Sequence, residues 1–190
     1  MNRHDGVDFA ACPVRKLDAA NPPSHEGFRP LRPEFATYWK KGRIFRECNS
    51  SIAGCWYLDV EGKLAAYVTL LADRLSVDKE LLGVEDVRYR TFPAVKIGLL
   101  AADHRARGAG KALMRWAFLH TVRELCPRLG IRFIIVDALY DPDNGYDVAP
   151  YYAQFGFIHA SPDEKPRPGE YFRTMFFDLK PLLDATAEAL

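Results

Sequence analysis

Residues 95–118, VKIGLLAADHRARGAGKALMRWAF, decide how the rest of the chain is read. The apolar run over 94–102 has the character of a buried strand. It is followed by Arg107-Gly108-Ala109-Gly110-Lys111-Ala112-Leu113, which opens an amphipathic helix predicted over 110–125. Leu113, Trp116, Ala117, His120 and Leu125 form that helix's apolar stripe. Glycine at 108 and 110 removes side-chain bulk, so the backbone can bend sharply and approach a phosphate closely. The first turn of the helix adds N–H groups that have no intrahelical acceptor, at the positive end of the helix dipole. Strand, glycine turn and helix start together predict a cradle for a pyrophosphate, with Arg107 and Lys111 supplying mobile positive charge.

Other phosphate-binding motifs fit less well. A Walker loop needs Ser or Thr after its lysine, and here Lys111 is followed by Ala112. A dinucleotide fingerprint needs a third glycine that GAGKAL lacks, although Asp137 on the next strand stands near the place of a ribose-binding acid. A kinase glycine loop would need HRD and DFG partners, and neither occurs.

Outward from the turn, residues 13–19 suggest a short first strand and 21–25 a proline-rich loop. One helix is predicted over 33–48, with Phe35, Tyr38, Trp39, Gly42 and Phe45 on a common stripe. Glu61-Gly62 separates two apolar runs, 52–60 and 63–72, as a hairpin turn would. Residues 73–93 read as a connection holding a short helix near 78–82. Gly130 is placed to close the helix after the glycine turn, and 131–139, IRFIIVDAL, reads as an interior strand. A short helix is predicted over 147–154, with Asp147 as N-cap, Pro150 in its first turn and Gly156 as its stop. Strands at 156–160 and 170–178 and a C-terminal helix follow. The order implies an α/β domain over residues 13–183, with a mixed sheet between tails 1–12 and 184–190.

Composition narrows the function classes. With 190 residues, 48% of them hydrophobic and 27% charged, the chain has the balance of one soluble domain with a substantial core. No apolar run approaches the roughly 18 residues of a membrane helix. The N-terminus lacks a secretory apolar stretch, so a cytoplasmic location is expected. Cys12, Cys48, Cys55 and Cys126 are scattered without a CxxC or clustered histidines, which predicts reduced thiols and no metal site. Net charge is only +1, but it is unevenly spread. Residues 104–132 carry seven basic side chains and one acidic, 28–50 carry six and two, and 137–147 carry four aspartates and no base. Such asymmetry steers a charged ligand toward one face, or marks solvated helix faces.

Arg107, Gly110 and Ala112 fill the three fixed places of Q/R-x-x-G-x-G/A, with Gly108 following the first of them. The segment resembles the acyl-CoA signature of the GCN5-related N-acetyltransferases (GNAT). An overlapping register, Arg105-x-x-Gly108-x-Gly110, also fits; the first is preferred because RGAGKAL resembles the family's RGxGxAL. Downstream, Tyr151-Tyr152-Ala153-Gln154-Phe155-Gly156-Phe157 resembles the family's FYxxFGF segment. The resemblance implies a GNAT fold, a mostly antiparallel central sheet flanked by helices, and acetyl-CoA as co-substrate with no metal. It implies that Leu100, Ala101 and Ala102 line the pantetheine arm, and that Arg107 and the backbone from Gly108 through Ala109, Gly110 and Lys111 to Ala112 hold the pyrophosphate. Tyr152 would protonate the leaving thiolate after direct attack by an amine, with no covalent enzyme intermediate.

The match extends over most of the chain and is nearest to acetyltransferases that act as toxins of toxin–antitoxin pairs. For that subgroup it implies the α-amino group of an aminoacyl-tRNA as acceptor, an antitoxin protein as partner and a homodimer. The chain departs from the subgroup at three places. Leu99 stands where GRLAVD has arginine, Gly27-Phe28-Arg29-Pro30 replaces FDCG, and the insert at 141–147 is long and acidic. A small cationic amine recognised by those aspartates is the alternative acceptor, and a non-catalytic acyl-CoA-binding module is the alternative to an enzyme. Asp137 and Asp103 are the acidic candidates for the base that takes the amine's proton, with His104 and His120 behind them.

Overall fold

The computed structural model describes residues 4–76, 91–161 and 171–188, with side chains to 185. The helix expected near 78–82 lies outside the described residues. The elements run β1 (Arg15–Lys16), α1 (Pro33–Lys40), α2 (Arg43–Asn49), β2 (Gly54–Val60), β3 (Lys63–Leu75), β4 (Phe92–Ala102) and α3 (Ala109–His120). They continue with β5 (Phe133–Asp141), β6 (Tyr146–Asp147), α4 (Ala149–Ala153), β7 (Ile158–His159), β8 (Phe172–Asp178) and α5 (Lys180–Glu188). The strands are hydrogen-bonded in the order β1-β2-β3-β4-β5-β8-β7, with β6 on β5. The β1–β2, β2–β3, β5–β6, β5–β8 and β7–β8 pairs are all antiparallel. This is the expected α/β class with a mostly antiparallel sheet. Two compact units make up the chain, Met1–Leu71 with Ile97–His120, and Ala72–Lys96 with Thr121–Leu190.

In the first unit the single helix predicted over 33–48 is two helices. Gly42 takes a left-handed φ of 66° and its N–H bonds back to the Trp39 carbonyl at 2.9 Å, ending α1. The apolar period runs through this break, since Trp39 and Ile44 are both buried on either side of it, and so the pattern concealed it. The β2–β3 hairpin turns at Glu61 and Gly62, both left-handed, with the Gly62 N–H bonded to the Asp59 carboxylate at 3.0 Å. Tyr67 of β3 is fully buried against Trp39, ring centroids 5.2 Å apart, and its hydroxyl donates to the Phe35 carbonyl at 2.9 Å.

Two close approaches seat β4 and α3. A Cβ at Gly98 of β4 would stand 2.8 Å from Leu71 and 2.9 Å from the Thr69 hydroxyl, while the next N–H, of Leu99, donates to that hydroxyl at 2.8 Å. At Gly54 of β2 a Cβ would lie 2.4 Å from the Trp56 indole, so the ring lies across the glycine. Trp116 and His120, one turn apart on α3, stack at 4.6 Å, and both rings meet Trp56 at 5.2 Å. This clamp holds α3 on β2, and it makes His120 a packing residue rather than a base.

In the second unit, β5 pairs with β8 from Phe133↔Asp178 to Leu139↔Phe172. Phe133 sits edge-on to Phe92 at 5.7 Å and to Phe176 at 5.8 Å in the core. One π turn, Thr121–Leu125, with a Cys126 N–H to Thr121 carbonyl bond of 2.9 Å, ends the helical segment. Gly130 is not left-handed, which corrects its assignment as the cap. Gly156 is left-handed, with φ 88°, and stops the α4 segment as expected. Asp147 does not take the N-cap position itself, which belongs to Val148, but its carboxylate accepts the Ala149 N–H at 3.0 Å and serves the same donors. The acidic insert folds into a small hairpin, with Tyr140↔Asp147 and Asp141↔Tyr146 in register.

Candidate active site

The glycine turn joins β4 to α3 within the first unit. Gly108 has φ 88°, a conformation that side chains with a Cβ rarely adopt, and it lies exposed just ahead of the helix. The N–H of Ala109 bonds to the Ala106 carbonyl at 3.1 Å and that of Ala112 to the Gly108 carbonyl at 2.9 Å. Among the described residues, no hydrogen bond engages the N–H groups of Gly108, Gly110 and Lys111 between them. Three free donors, an exposed Arg107 and an exposed Lys111 therefore converge on the positive end of α3. That arrangement can hold a doubly charged anion such as a pyrophosphate.

The residues just before the turn explain which arginine is free. Asp103 follows β4, is 1% exposed and accepts from the Arg29 N–H at 3.0 Å and the Arg105 N–H at 3.0 Å. The Arg105 guanidinium closes a fork on it, with Nε at 2.8 Å and Nη2 at 2.7 Å, and also donates to the Gly27 carbonyl. Burial alone would raise the Asp103 pKa, but the guanidinium and the two backbone donors outweigh it and hold the carboxyl down at about 2. Arg105 is thus committed inside the protein, which favours the register that begins at Arg107. His104 is tied to the same segment, with Nδ1 at 2.8 Å from the Arg29 carbonyl. Sequence reasoning missed this hub as a hub, because nothing in the spacing links Arg29 to an aspartate 74 residues away.

Tyr152 belongs to the second unit, on α4. It is 8% exposed, packed edge-on against Tyr151 at 5.3 Å and Phe157 at 5.7 Å. Burial, reinforced by Tyr151 and Tyr146, pushes its pKa well above the usual phenol value. No hydrogen bond engages its hydroxyl among the described residues. Tyr152 is therefore a protonated, uncommitted donor at neutral pH. Tyr151 is more open, with burial raising it to about 12.

Neither acidic candidate for a base is available. Asp103 is ionised and fully bonded, and Asp137 is paired with Lys96 and accepts from the Thr174 hydroxyl at 2.9 Å. The rest of the acidic stretch is largely satisfied as well. Asp147 pairs with Arg173, whose guanidinium lies 4.3 Å from the Tyr140 ring centroid, and Asp141 accepts from Asn144 at 3.0 Å. Among the described residues no group of histidine, cysteine, aspartate or glutamate could hold a metal. No described helix is long and apolar enough to cross a membrane.

The chain has the GNAT fold, a mostly antiparallel mixed sheet with a glycine turn between its fourth strand and the following helix. It is similar to the crystal structure of a bacterial toxin, at 19% identity and TM-score 0.72, over 93% of this chain and 96% of that one. It is similar to AtaT complexed with acetyl-methionyl-tRNAfMet, at 19% identity and TM-score 0.71, over 92% and 98%. It also resembles a tyrosine-to-phenylalanine mutant of the AtaT toxin bound to the C-terminus of the antitoxin AtaR and acetyl-CoA. That likeness has 18% identity and TM-score 0.65, over 92% and 97%. No protein-family profile and no curated sequence matches the chain.

Proposed function

We propose that the chain is an acetyl-CoA-dependent N-acetyltransferase of the toxin type, which transfers the acetyl group directly to the α-amino group of an aminoacyl-tRNA. The observation that carries the reading is the turn, with Gly108 left-handed and, among the described residues, three N–H groups without an acceptor and Arg107 and Lys111 without a carboxylate partner at the start of α3. In this reading Arg107 and the backbone between Gly108 and Ala112 hold the pyrophosphate. Leu100, Ala101 and Ala102 at the end of β4 line the pantetheine arm. The amine nitrogen forms a bond to the acetyl carbon as the carbon–sulfur bond breaks, and the Tyr152 hydroxyl gives its proton to the sulfur. On this reading residues 13–183 are the domain, the cytoplasm is its place and a second copy is a partner; likeness to the AtaT–AtaR complex supports an antitoxin as a further partner.

Charge supports an RNA acceptor over a small cationic amine. Of the four aspartates in 137–147, Asp137 and Asp147 are neutralised by Lys96 and Arg173, which halves the negative charge left to recognise a cation. The uncommitted Tyr152 hydroxyl supports turnover over a purely binding role.

The test is acetyl-CoA turnover with bulk charged tRNA beside spermidine and an aminoglycoside, followed by release of the CoA thiol. Charged tRNA is expected to be acetylated and the amines left unchanged; acetylated amines with inert tRNA would overturn the acceptor. The donor site has its own prediction. Gly108→Val forces a β-branched residue to φ 88°, a strain of roughly 1–3 kcal/mol. The strain moves the turn off this conformation, and loss of one backbone donor to the pyrophosphate, worth roughly 1.5 kcal/mol or more for a charged acceptor, is expected to weaken acetyl-CoA binding by about tenfold or more in calorimetric titration.

A further inference from the structure

Charge counts do not say which cations are free to meet a polyanion, but pairing does. In the 104–132 stretch, Arg105, Arg128 and Arg132 are spent on Asp103, Glu124 and Asp178. In the 28–50 stretch Arg32 alone is spent among the described residues, on Glu34. Arg29, Lys40, Lys41, Arg43 and Arg46 are exposed, and among the described residues none has a carboxylate partner. The fold explains why they stand out together. Trp39 and Ile44 are driven inward on either side of left-handed Gly42, so the flanking Lys40, Lys41 and Arg43 are turned to solvent around the corner between α1 and α2. Glu47, the nearest acid on α2, accepts a hydrogen bond from the Tyr38 hydroxyl instead of pairing with them.

The strip borders a cleft of 410 Å³ that lies between the 24–28 segment and the Ala36, Thr37 and Lys40 face of α1. The wall of that cleft is bonded to the end of β4. Arg105 donates to the Gly27 carbonyl, Asp103 accepts the Arg29 N–H, and the His104 N–H donates to the Arg29 carbonyl at 2.9 Å. The cleft wall, Arg29 of the basic strip and the segment that leads into the glycine turn therefore share one hydrogen-bonded hub within the first unit.

We infer that the RNA backbone of the acceptor lies along Arg29, Lys40, Lys41, Arg43 and Arg46, and that its 3′ end enters the cleft beside Thr37. This rests on the aminoacyl-tRNA reading. The phosphates supply the anions for five cations that have no carboxylate partner among the described residues. The cleft is of a size to take the terminal nucleoside with its amino acid.

The test uses the full chain with Lys40, Lys41, Arg43 and Arg46 all changed to Gln, and reads deacylated tRNA binding across a salt series and acetyl-CoA binding by calorimetry. The expected result is a log-affinity against log-salt slope shallower by about 3, with affinity down roughly tenfold or more and acetyl-CoA binding unchanged. A variant with Lys40→Arg and Lys41→Arg should keep both. Thr37→Trp, which fills the cleft, should retain tRNA binding and lose acetylation of charged tRNA. RNA binding unchanged in the four-fold variant, while wild type still acetylates charged tRNA, overturns the strip and leaves the enzymatic reading standing. Loss of acetyl-CoA binding in that variant shows that these cations serve the donor, and also overturns it. A wild type that binds no RNA and acetylates spermidine overturns both.

Discussion

Tyr152→Phe is expected to lower acetyl transfer by roughly 10² to 10⁴, the range for loss of a positioned proton donor, while acetyl-CoA binding and the melting temperature stay at wild-type values. The packing makes this substitution a clean one. The ring is 8% exposed and held edge-on by Tyr151 and Phe157, and phenylalanine keeps both contacts. The hydroxyl has no hydrogen-bond partner among the described residues, so its removal strands no buried group. The rate loss is then a measure of proton delivery alone. Burial raises the Tyr152 pKa, so the phenol stays protonated throughout the neutral range. The wild-type rate should therefore show no decline from this group as pH rises from 7 to 9. Any loss of rate toward lower pH belongs to protonation of the amine, and it should be shared by wild type and variant. An unchanged rate of CoA thiol release in Tyr152→Phe, with charged tRNA as acceptor, would remove Tyr152 from the mechanism.

The turn's conformation was legible because it is local. Gly108, Gly110 and the apolar stripe of α3 are near neighbours in the chain, and glycine between a strand and a helix marks a turn that needs positive φ, which Gly108 has at 88°. The β2–β3 hairpin and the stop at Gly156 were legible for the same reason, since left-handed positions advertise themselves through glycine. What the sequence hid was of two kinds. The break at Gly42 falls on the helical stripe, so periodicity alone runs through it even though the φ of 66° does not allow a continuous helix. The Asp103 hub depends on partners at Gly27 and Arg29, brought together only by folding. The acidic insert was visible as charge, but its meaning was not. Only the pairing of Asp147 with Arg173 and of Asp137 with Lys96 shows that half of this charge is spent on the fold. The same distinction, paired against unpaired, separates Arg105 from Arg107 and turns a count of basic residues into a surface.

Asp103→Ala is expected to carry the largest cost to stability, about 3 kcal/mol, the low end of the range for removing one partner of a buried ion pair. The low end applies because the Arg105 side chain is 31% exposed and keeps part of its hydration, whereas Asp103 has none. The variant also leaves the N–H groups of Arg29 and Arg105 without their acceptor, adding to the loss. The pH dependence identifies the source. The carboxyl is held at about 2 in the folded chain against an ordinary value of 3.8, so the folded state binds this proton more weakly than the unfolded state does. Its stabilisation is therefore complete above pH 3.8 and is lost as pH falls through about 2. Urea melts of wild type and Asp103→Ala should differ by the full amount at pH 7 and pH 5, and the gap should close as the pH is taken from 3.8 toward 2. A gap that stays constant down to pH 2 would mean that packing, not the ionised carboxylate, stabilises the hub. Arg105→Ala should reproduce most of the loss, and the double variant should cost less than the sum of the singles, because the two side chains act as one unit. The same hub holds the 27–29 segment against the chain that leads into the glycine turn, so acetyl-CoA affinity and charged-tRNA turnover should fall together in Asp103→Ala. Tyr152→Phe, by contrast, touches only the chemical step.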